Sequence, residues 1–112
     1  MVLMAGGSVV PAGSAFRILI EDFSPYYEPS VATVPADTAI VWDNPTATHH
    51  TVTHDPCESD GPCAFDSGAV APNRSFTVPN LPPGQYPYHC RIHPMMRGFL
   101  KVTSSNASSS QT

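Results

Sequence analysis

The sequence is short of charged residues, of long apolar runs and of helical periodicity. Only 12% of its 112 residues are charged, and the net charge is -4. Because it has no cluster of Lys or Arg, it lacks the basic face that nucleic-acid binding requires. No apolar run approaches the roughly 20 residues of a membrane span. The opening Met1-Val2-Leu3-Met4 is also too short for a signal-peptide core, so we expect a mature or trimmed form.

The distribution of Pro and Gly predicts an all-β domain. The 13 Pro and 7 Gly act as turn signals between short β-rich runs, and no helical apolar periodicity survives between them. Alternation of the kind seen in Phe16, Ile18 and Ile20 indicates strands with one buried face. We therefore predict a Greek-key β-sandwich of seven to eight strands, with further strands at 30–34, 38–42, 49–54, 75–78, 85–90 and 98–103.

The length leaves room for one domain only. We assign residues 14–103 to this domain and residues 1–13 to an N-terminal segment. Residues 104–112 form a Ser-rich tail that cannot bury a core, and we expect it to be disordered. Residues 55–74 carry little periodicity and are predicted to form a long loop, which bears several acidic side chains.

Two of the three cysteines flank a short polar stretch of that loop. Cys57 and Cys63 are close enough in sequence to pair, whereas Cys90 stands apart. A Cys57–Cys63 disulfide would stabilise the fold by roughly 2 kcal/mol on chain-entropy grounds, and it implies an oxidising, extracytoplasmic compartment. Two reduced structural thiols are the alternative.

Soft metal ligands gather near the C-terminus. Cys90, His93, Met95 and Met96 lie within seven residues, and a thiolate with two imidazoles and a weak thioether suits copper. Strand parity puts Cys90 on the inward face of its strand. The same argument places His50 inward beside Val52, so we take His50, not the neighbouring His49, as the second imidazole.

These residues resemble the ligand sites of the cupredoxins. The segment from Cys90 to Gly98 has the Cys-x2-His-x2-Met spacing of the amicyanin and plastocyanin-like branch, and Trp42-Asp43-Asn44 with the downstream His50 resembles that family's first ligand strand. The similarity spans roughly residues 14–103 and implies one bound copper. It assigns His50, Cys90 and His93 as equatorial ligands and Met96 as the axial ligand, while Asn44 would brace the Cys90 loop by hydrogen bonding.

Several alternatives stay open at this point. Met95 or a water molecule competes with Met96 for the axial position. A zinc site that adds His54 is chemically feasible. His89, directly before Cys90, occupies the position at which copper nitrite reductases and multicopper oxidases bind a second copper, but only His49 and His54 remain to complete such a site. We interpret His49, His54 and His89 as surface residues.

The resemblance implies an extracytoplasmic one-electron carrier that docks transiently with other redox proteins and has no substrate of its own. His93, Pro94 and Met95 would form the exit point for electrons and an apolar docking patch, and the acidic loop would steer a basic partner. We expect a monomer without an integral membrane segment, in the periplasm or outside the cell, with a position peripheral to a membrane as an alternative. A redox enzyme acting on nitric oxide or nitrite at an open copper site is the alternative; a copper store or donor is a weaker one.

Overall fold

A computed structural model describes residues 15–104. Its elements are short strands separated by turns, as the spacing of Pro and Gly predicts. In chain order they are β1 (Ala15–Ile20), β2 (Tyr27–Glu28), β3 (Val31–Pro35), β4 (Ala39–Asn44), β5 (Thr53–His54), a 3-10 turn (Asp55–Glu58), β6 (Arg74–Val78), β7 (Gly84–His89) and β8 (Arg97–Thr103).

The strands form two four-stranded sheets that pack face to face. One sheet has the order β2-β1-β4-β6 and the other β3-β8-β7-β5. The pairs β1–β4 and β3–β8 are parallel, and the other neighbours are antiparallel. The eight strands of the described part of the chain confirm the prediction of an all-β sandwich with seven to eight strands.

The core lies between the sheets and is rich in aromatic rings. Tyr88 of β7 packs edge-on against Tyr27 and Trp42, with ring centroids 4.8 and 5.4 Å apart. Trp42 also contacts Phe65 and Phe76. Edge-to-face pairs of this kind contribute about 0.5–1.5 kcal/mol each beyond burial of their area. This cluster fixes β7, and β7 leads directly to Cys90.

Two sequence predictions of strands differ from the structure. The predicted strand 49–54 is reduced to Thr53–His54, because the chain at His50 pairs with Val70 of the long loop in an isolated bridge and not with a neighbouring strand. Strand β2 at Tyr27–Glu28 was not predicted, since two residues are too few to show an alternation.

The predicted N-terminal segment 1–13 and residues 105–112 of the predicted tail lie outside the described residues. Within residues 15–104, no helix is long and apolar enough to cross a membrane.

Gly98 provides a test of the packing around Tyr88, its partner across β7 and β8. A Cβ at position 98 would lie 2.2 Å from the ring carbon Cζ of Tyr88, whose side chain is fully buried and cannot move aside. We expect Gly98→Ala to lower the free energy of unfolding by about 1–3 kcal/mol, measured by urea denaturation of the metal-free protein.

The matched control is the same substitution in a Tyr88→Leu background. There the ring is gone, and Ala is favoured over Gly in a strand by roughly 0.5–1 kcal/mol. The effect of Gly98→Ala should therefore become neutral or stabilising. An equal loss of stability in both backgrounds would contradict the steric explanation.

Candidate metal centre

Cys90 and His93 lie on a short turn between β7 and β8. Cys90 follows the last residue of β7, and its thiol is fully buried. The turn is closed by two backbone hydrogen bonds: the Cys90 N–H donates to the Met96 carbonyl at 3.1 Å, and the Met96 N–H donates to the His93 carbonyl at 2.9 Å. Because Pro94 fixes one φ angle inside this turn, the positions of Cys90, His93 and Met96 are coupled.

His50 reaches the same place from the segment that precedes β5, the strand paired with β7. Its backbone N–H and carbonyl both bond to Val70, at 3.3 and 2.7 Å. The imidazole is 1% exposed, whereas the neighbouring His49 is exposed. Strand parity thus gave the correct inward residue, although the segment is not part of a regular strand.

Three donor atoms converge between these segments. The Nδ1 atoms of His50 and His93 each lie 4.0 Å from the Cys90 Sγ atom, and the three donors lie within 4.8 Å of one another. A metal bound at about 2.0–2.3 Å in a trigonal plane holds its donors about 3.5–4 Å apart, so the two distances to the sulfur fit a metal ion. Thiolate and imidazole are the ligands that copper favours.

Burial keeps the first imidazole neutral and able to bind a metal. It lowers the pKa of His50 below its ordinary value, although the hydrogen bond with the Asp22 carboxylate acts in the opposite direction. A ligand must be deprotonated at its metal-binding nitrogen. His50 therefore meets this requirement over a wider pH range than an exposed histidine would.

The two methionines of the turn are in different environments. Met96 is 1% exposed and Met95 is 63% exposed. Both border a cavity of 260 Å³ that is also lined by His50 and His93. The burial of Met96 favours it over Met95 as the thioether available to a metal.

Thr51 holds the thiol and was missed by the sequence analysis. Its backbone N–H donates to the Cys90 Sγ atom at 3.3 Å, and its hydroxyl accepts the Arg91 N–H at 2.8 Å. Alternation from the inward-facing His50 places Thr51 and Thr53 on the opposite face, which would be solvated, but both are buried. In the sequence, the only information about these two residues was their alternation with His50, and it predicted a solvent-exposed face.

Asn44 braces the site, but not as expected. Its side-chain amide donates to the carbonyls of Thr48 and Val70, at 2.9 and 3.0 Å, and its Oδ1 atom accepts the N–H and the hydroxyl of Thr46. These bonds organise the turn that precedes His50. The expectation that Asn44 braces the Cys90 loop is therefore wrong: the amide lies on the His50 side, and Thr51 makes the link to Cys90.

His89 and His54 are buried, which corrects their interpretation as surface residues. The ring nitrogens of His89 face carboxylates of Asp55 and Glu58, because the loop folds over the outer face of β7. His54 accepts the Ala64 N–H at Nδ1, 3.1 Å away, and stacks on Phe65. In the described part of the chain, no second group of three His, Cys, Asp or Glu side chains gathers its ligand atoms as closely.

The acidic loop is joined to the strands by ion pairs. Arg91 contacts Glu58 and Asp66, and Arg97 contacts Asp55. Burial acts to raise the pKa of Asp66, but hydrogen bonds from Arg91, the Gly68 N–H and Thr53 outweigh it and hold that pKa below its ordinary value. The loop also contains a disulfide between Cys57 and Cys63, with sulfur atoms 2.02 Å apart.

Comparison with known proteins gives matches among solved structures. No protein-family model matches the chain, and no curated protein does. The reduced Cu(I) form of a proline-to-glycine variant of amicyanin at pH 4 aligns with a TM-score of 0.67 and 26% identity, over 79% of this chain and 81% of amicyanin. A reduced proline-to-phenylalanine variant gives 0.67 and 26%, over 84% and 86%.

A reduced tryptophan-to-tyrosine variant of amicyanin aligns with a TM-score of 0.69 and 24% identity, over 80% of this chain and 83% of amicyanin. The alignments thus cover about four fifths of this chain. Within the described residues, His50, Cys90 and His93 gather their ligand atoms at one place, and Met96 borders the same cavity as the two histidines. The chain therefore has the cupredoxin β-sandwich fold, and it is similar to amicyanin in that fold.

Proposed function

We propose that the protein carries single electrons between larger redox proteins through one copper ion held by His50, Cys90, His93 and Met96. The convergence of two imidazole nitrogens on the buried Cys90 thiol, each at 4.0 Å, carries this proposal. The amicyanin structures that the chain resembles include Cu(I) forms. Copper bound by these residues would supply a one-electron couple between Cu(I) and Cu(II).

The contribution of the protein is to keep the donors in place. Electron transfer is fast when the ligands move little between oxidation states, and a densely packed scaffold resists such movement. Cys90 is held by the Met96 carbonyl and the Thr51 N–H, and His50 by its pairing with Val70. These two donors are therefore fixed by hydrogen bonds to backbone groups, including groups of neighbouring segments.

Electrons would leave through the partly exposed ring of His93. Exposed apolar side chains lie near this end: Met95 is 63% exposed and Ile92 48%. Phe23, which is 80% exposed, directly follows Asp22 in the chain, and Asp22 lines the same cavity as His93. With Pro94 we call these residues the apolar end. An apolar surface around a redox centre suits weak, transient docking.

The proposed location is extracytoplasmic, in the periplasm or outside the cell. The Cys57–Cys63 disulfide supports this, because such bonds persist in oxidising compartments. The proposed partners are redox proteins that dock at the apolar end. The acidic loop contributes little to their steering, since Asp55, Glu58 and Asp66 are already paired within the protein.

One observation favours a second candidate function. The cavity of 260 Å³ bordered by His50, His93 and Met96 gives a small molecule a route toward the ligands. If the axial position were open, nitric oxide or nitrite could react there. The burial of Met96 favours the carrier over this alternative.

The spectrum of the Cu(II)-loaded protein tests the proposal. We expect an intense thiolate-to-copper band in visible light that Cys90→Ser abolishes, because only a thiolate gives this transition. Cys57 and Cys63 are joined to each other and do not supply the sulfur. A band that persists unchanged on titration with azide or nitric oxide indicates a closed carrier, and one that shifts or bleaches indicates the enzyme. Absence of the band would refute copper binding at this site.

Matched substitutions of Met96 and Met95 test which methionine is the axial ligand. We expect Met96→Leu to raise the reduction potential, because loss of a sulfur donor disfavours Cu(II) more than Cu(I). Met95→Leu should leave the potential and the paramagnetic resonance spectrum unchanged, since that side chain points into solvent. A change in Met95→Leu and none in Met96→Leu would assign Met95 as the axial ligand. If neither substitution changed the potential, water would be the axial ligand.

Electron self-exchange between two copies of the protein tests the apolar end without any knowledge of the partner. We expect Met95→Lys to slow self-exchange about tenfold, equivalent to ~1.4 kcal/mol in the encounter complex, because it places two like charges in contact. NMR line broadening in mixtures of Cu(I) and Cu(II) protein measures the rate. Val31→Lys, a control at a 67% exposed position of edge strand β3, should leave it unchanged. Equal slowing by both variants would argue against docking at the apolar end.

A further inference from the structure

The Asp22 side chain contacts Nε2 of His50, the ring nitrogen that does not face Cys90. Its Oδ1 atom lies 3.1 Å from the His50 Nε2 atom and 3.0 Å from the Thr48 hydroxyl. The Thr48 hydroxyl is itself 2.9 Å from the same nitrogen. Asp22 comes from the loop after β1, 28 residues before His50, so the fold alone brings the two together.

The two nitrogens of the His50 ring have different partners, and this difference defines which nitrogen carries the proton. Nδ1 faces the Cys90 Sγ atom and Nε2 faces Asp22. A neutral imidazole that gives Nδ1 to a metal carries its hydrogen on Nε2. That N–H donates to the carboxylate, and the Thr48 hydroxyl donates to the same oxygen.

The negative charge of Asp22 is directed at this imidazole. Within residues 15–104, the side-chain contacts of Asp22 are with His50 and Thr48, so no Lys or Arg neutralises it. The His50 side chain is 2% exposed and that of Asp22 is 40% exposed. Because one partner is fully buried, water and salt screen this contact less than they screen a surface ion pair.

We propose that Asp22 is a positioning residue for His50, whose carboxylate fixes the proton on Nε2, presents Nδ1 to the copper and stabilises Cu(II) relative to Cu(I). A hydrogen-bonded carboxylate makes an imidazole a stronger donor, and such outer partners commonly change metal affinity 10–100-fold. The more highly charged ion gains more from the stronger donor. This inference rests on the proposed copper function. The change of oxidation state adds one electron to the metal and breaks no bond.

The first measurement uses the metal-free protein and does not depend on copper. Nitrogen NMR of the His50 ring should show a neutral imidazole with its proton on Nε2. Asp22→Asn keeps an oxygen acceptor and should preserve this tautomer, whereas Asp22→Ala should yield a mixture. An unchanged tautomer in Asp22→Ala would overturn the positioning role. This conclusion would hold even if the protein bound no copper.

The second measurement is the reduction potential of the copper-loaded protein. Asp22→Asn should shift the ratio of Cu(II) to Cu(I) affinity about tenfold toward Cu(I), a rise of about 59 mV for one electron. Glu21→Gln is the matched control, since it removes the same charge from the adjacent residue without touching His50. A shift in Asp22→Asn no larger than that in Glu21→Gln would overturn the electrostatic role.

The visible spectrum separates failure of this inference from failure of the proposed function. A wild-type protein without the thiolate-to-copper band would overturn the copper function and, with it, the effect of Asp22 on the potential. A protein with that band and an Asp22-independent potential would overturn only the inference. A circular dichroism spectrum unchanged between wild type and Asp22→Asn excludes misfolding as the cause of any shift.

Discussion

Burial of the Cys90 sulfur at the end of β7 is the constraint on which the rest of the site depends. A thiol with no exposed surface needs a nearby donor or metal to stabilise its charged form. The Thr51 N–H is the donor within reach, at 3.3 Å. Because Thr51 follows His50 directly, the residue that satisfies the sulfur also sets the position of the first imidazole.

The two halves of the site, the segment around His50 and the turn from Cys90 to Met96, are thereby joined. On one side, Asn44 organises the turn before His50 and bonds to Val70, which pairs with His50. On the other, the turn from Cys90 to Met96 closes on itself. Thr51 connects them through both its backbone and its hydroxyl. A shift in either half is resisted by the other, which is what a redox site needs if its ligands are to stay still.

Sequence reasoning identified what depends on local pattern and missed what depends on packing. Parity along a strand correctly predicted that Cys90 faces inward, because alternation follows from backbone geometry alone. It failed for Thr51, Thr53 and His89, whose face would be solvated in a bare sheet but is covered by the loop. Asp22 could not have been found at all, since nothing in its neighbours' pattern indicates a contact 28 residues away.

The same loop explains why charge would contribute little to the proposed docking at the apolar end. Its acidic residues suggested a steering surface, yet the carboxylates of Asp55, Glu58 and Asp66 attach the loop to β7, to the turn after it and to β8. Partly exposed ion pairs of this kind contribute about 0–1 kcal/mol each, but a network of them can fix a loop that also contains a disulfide. The surface around His93 that a partner would contact is therefore apolar, apart from the Asp22 carboxylate, which contacts His50.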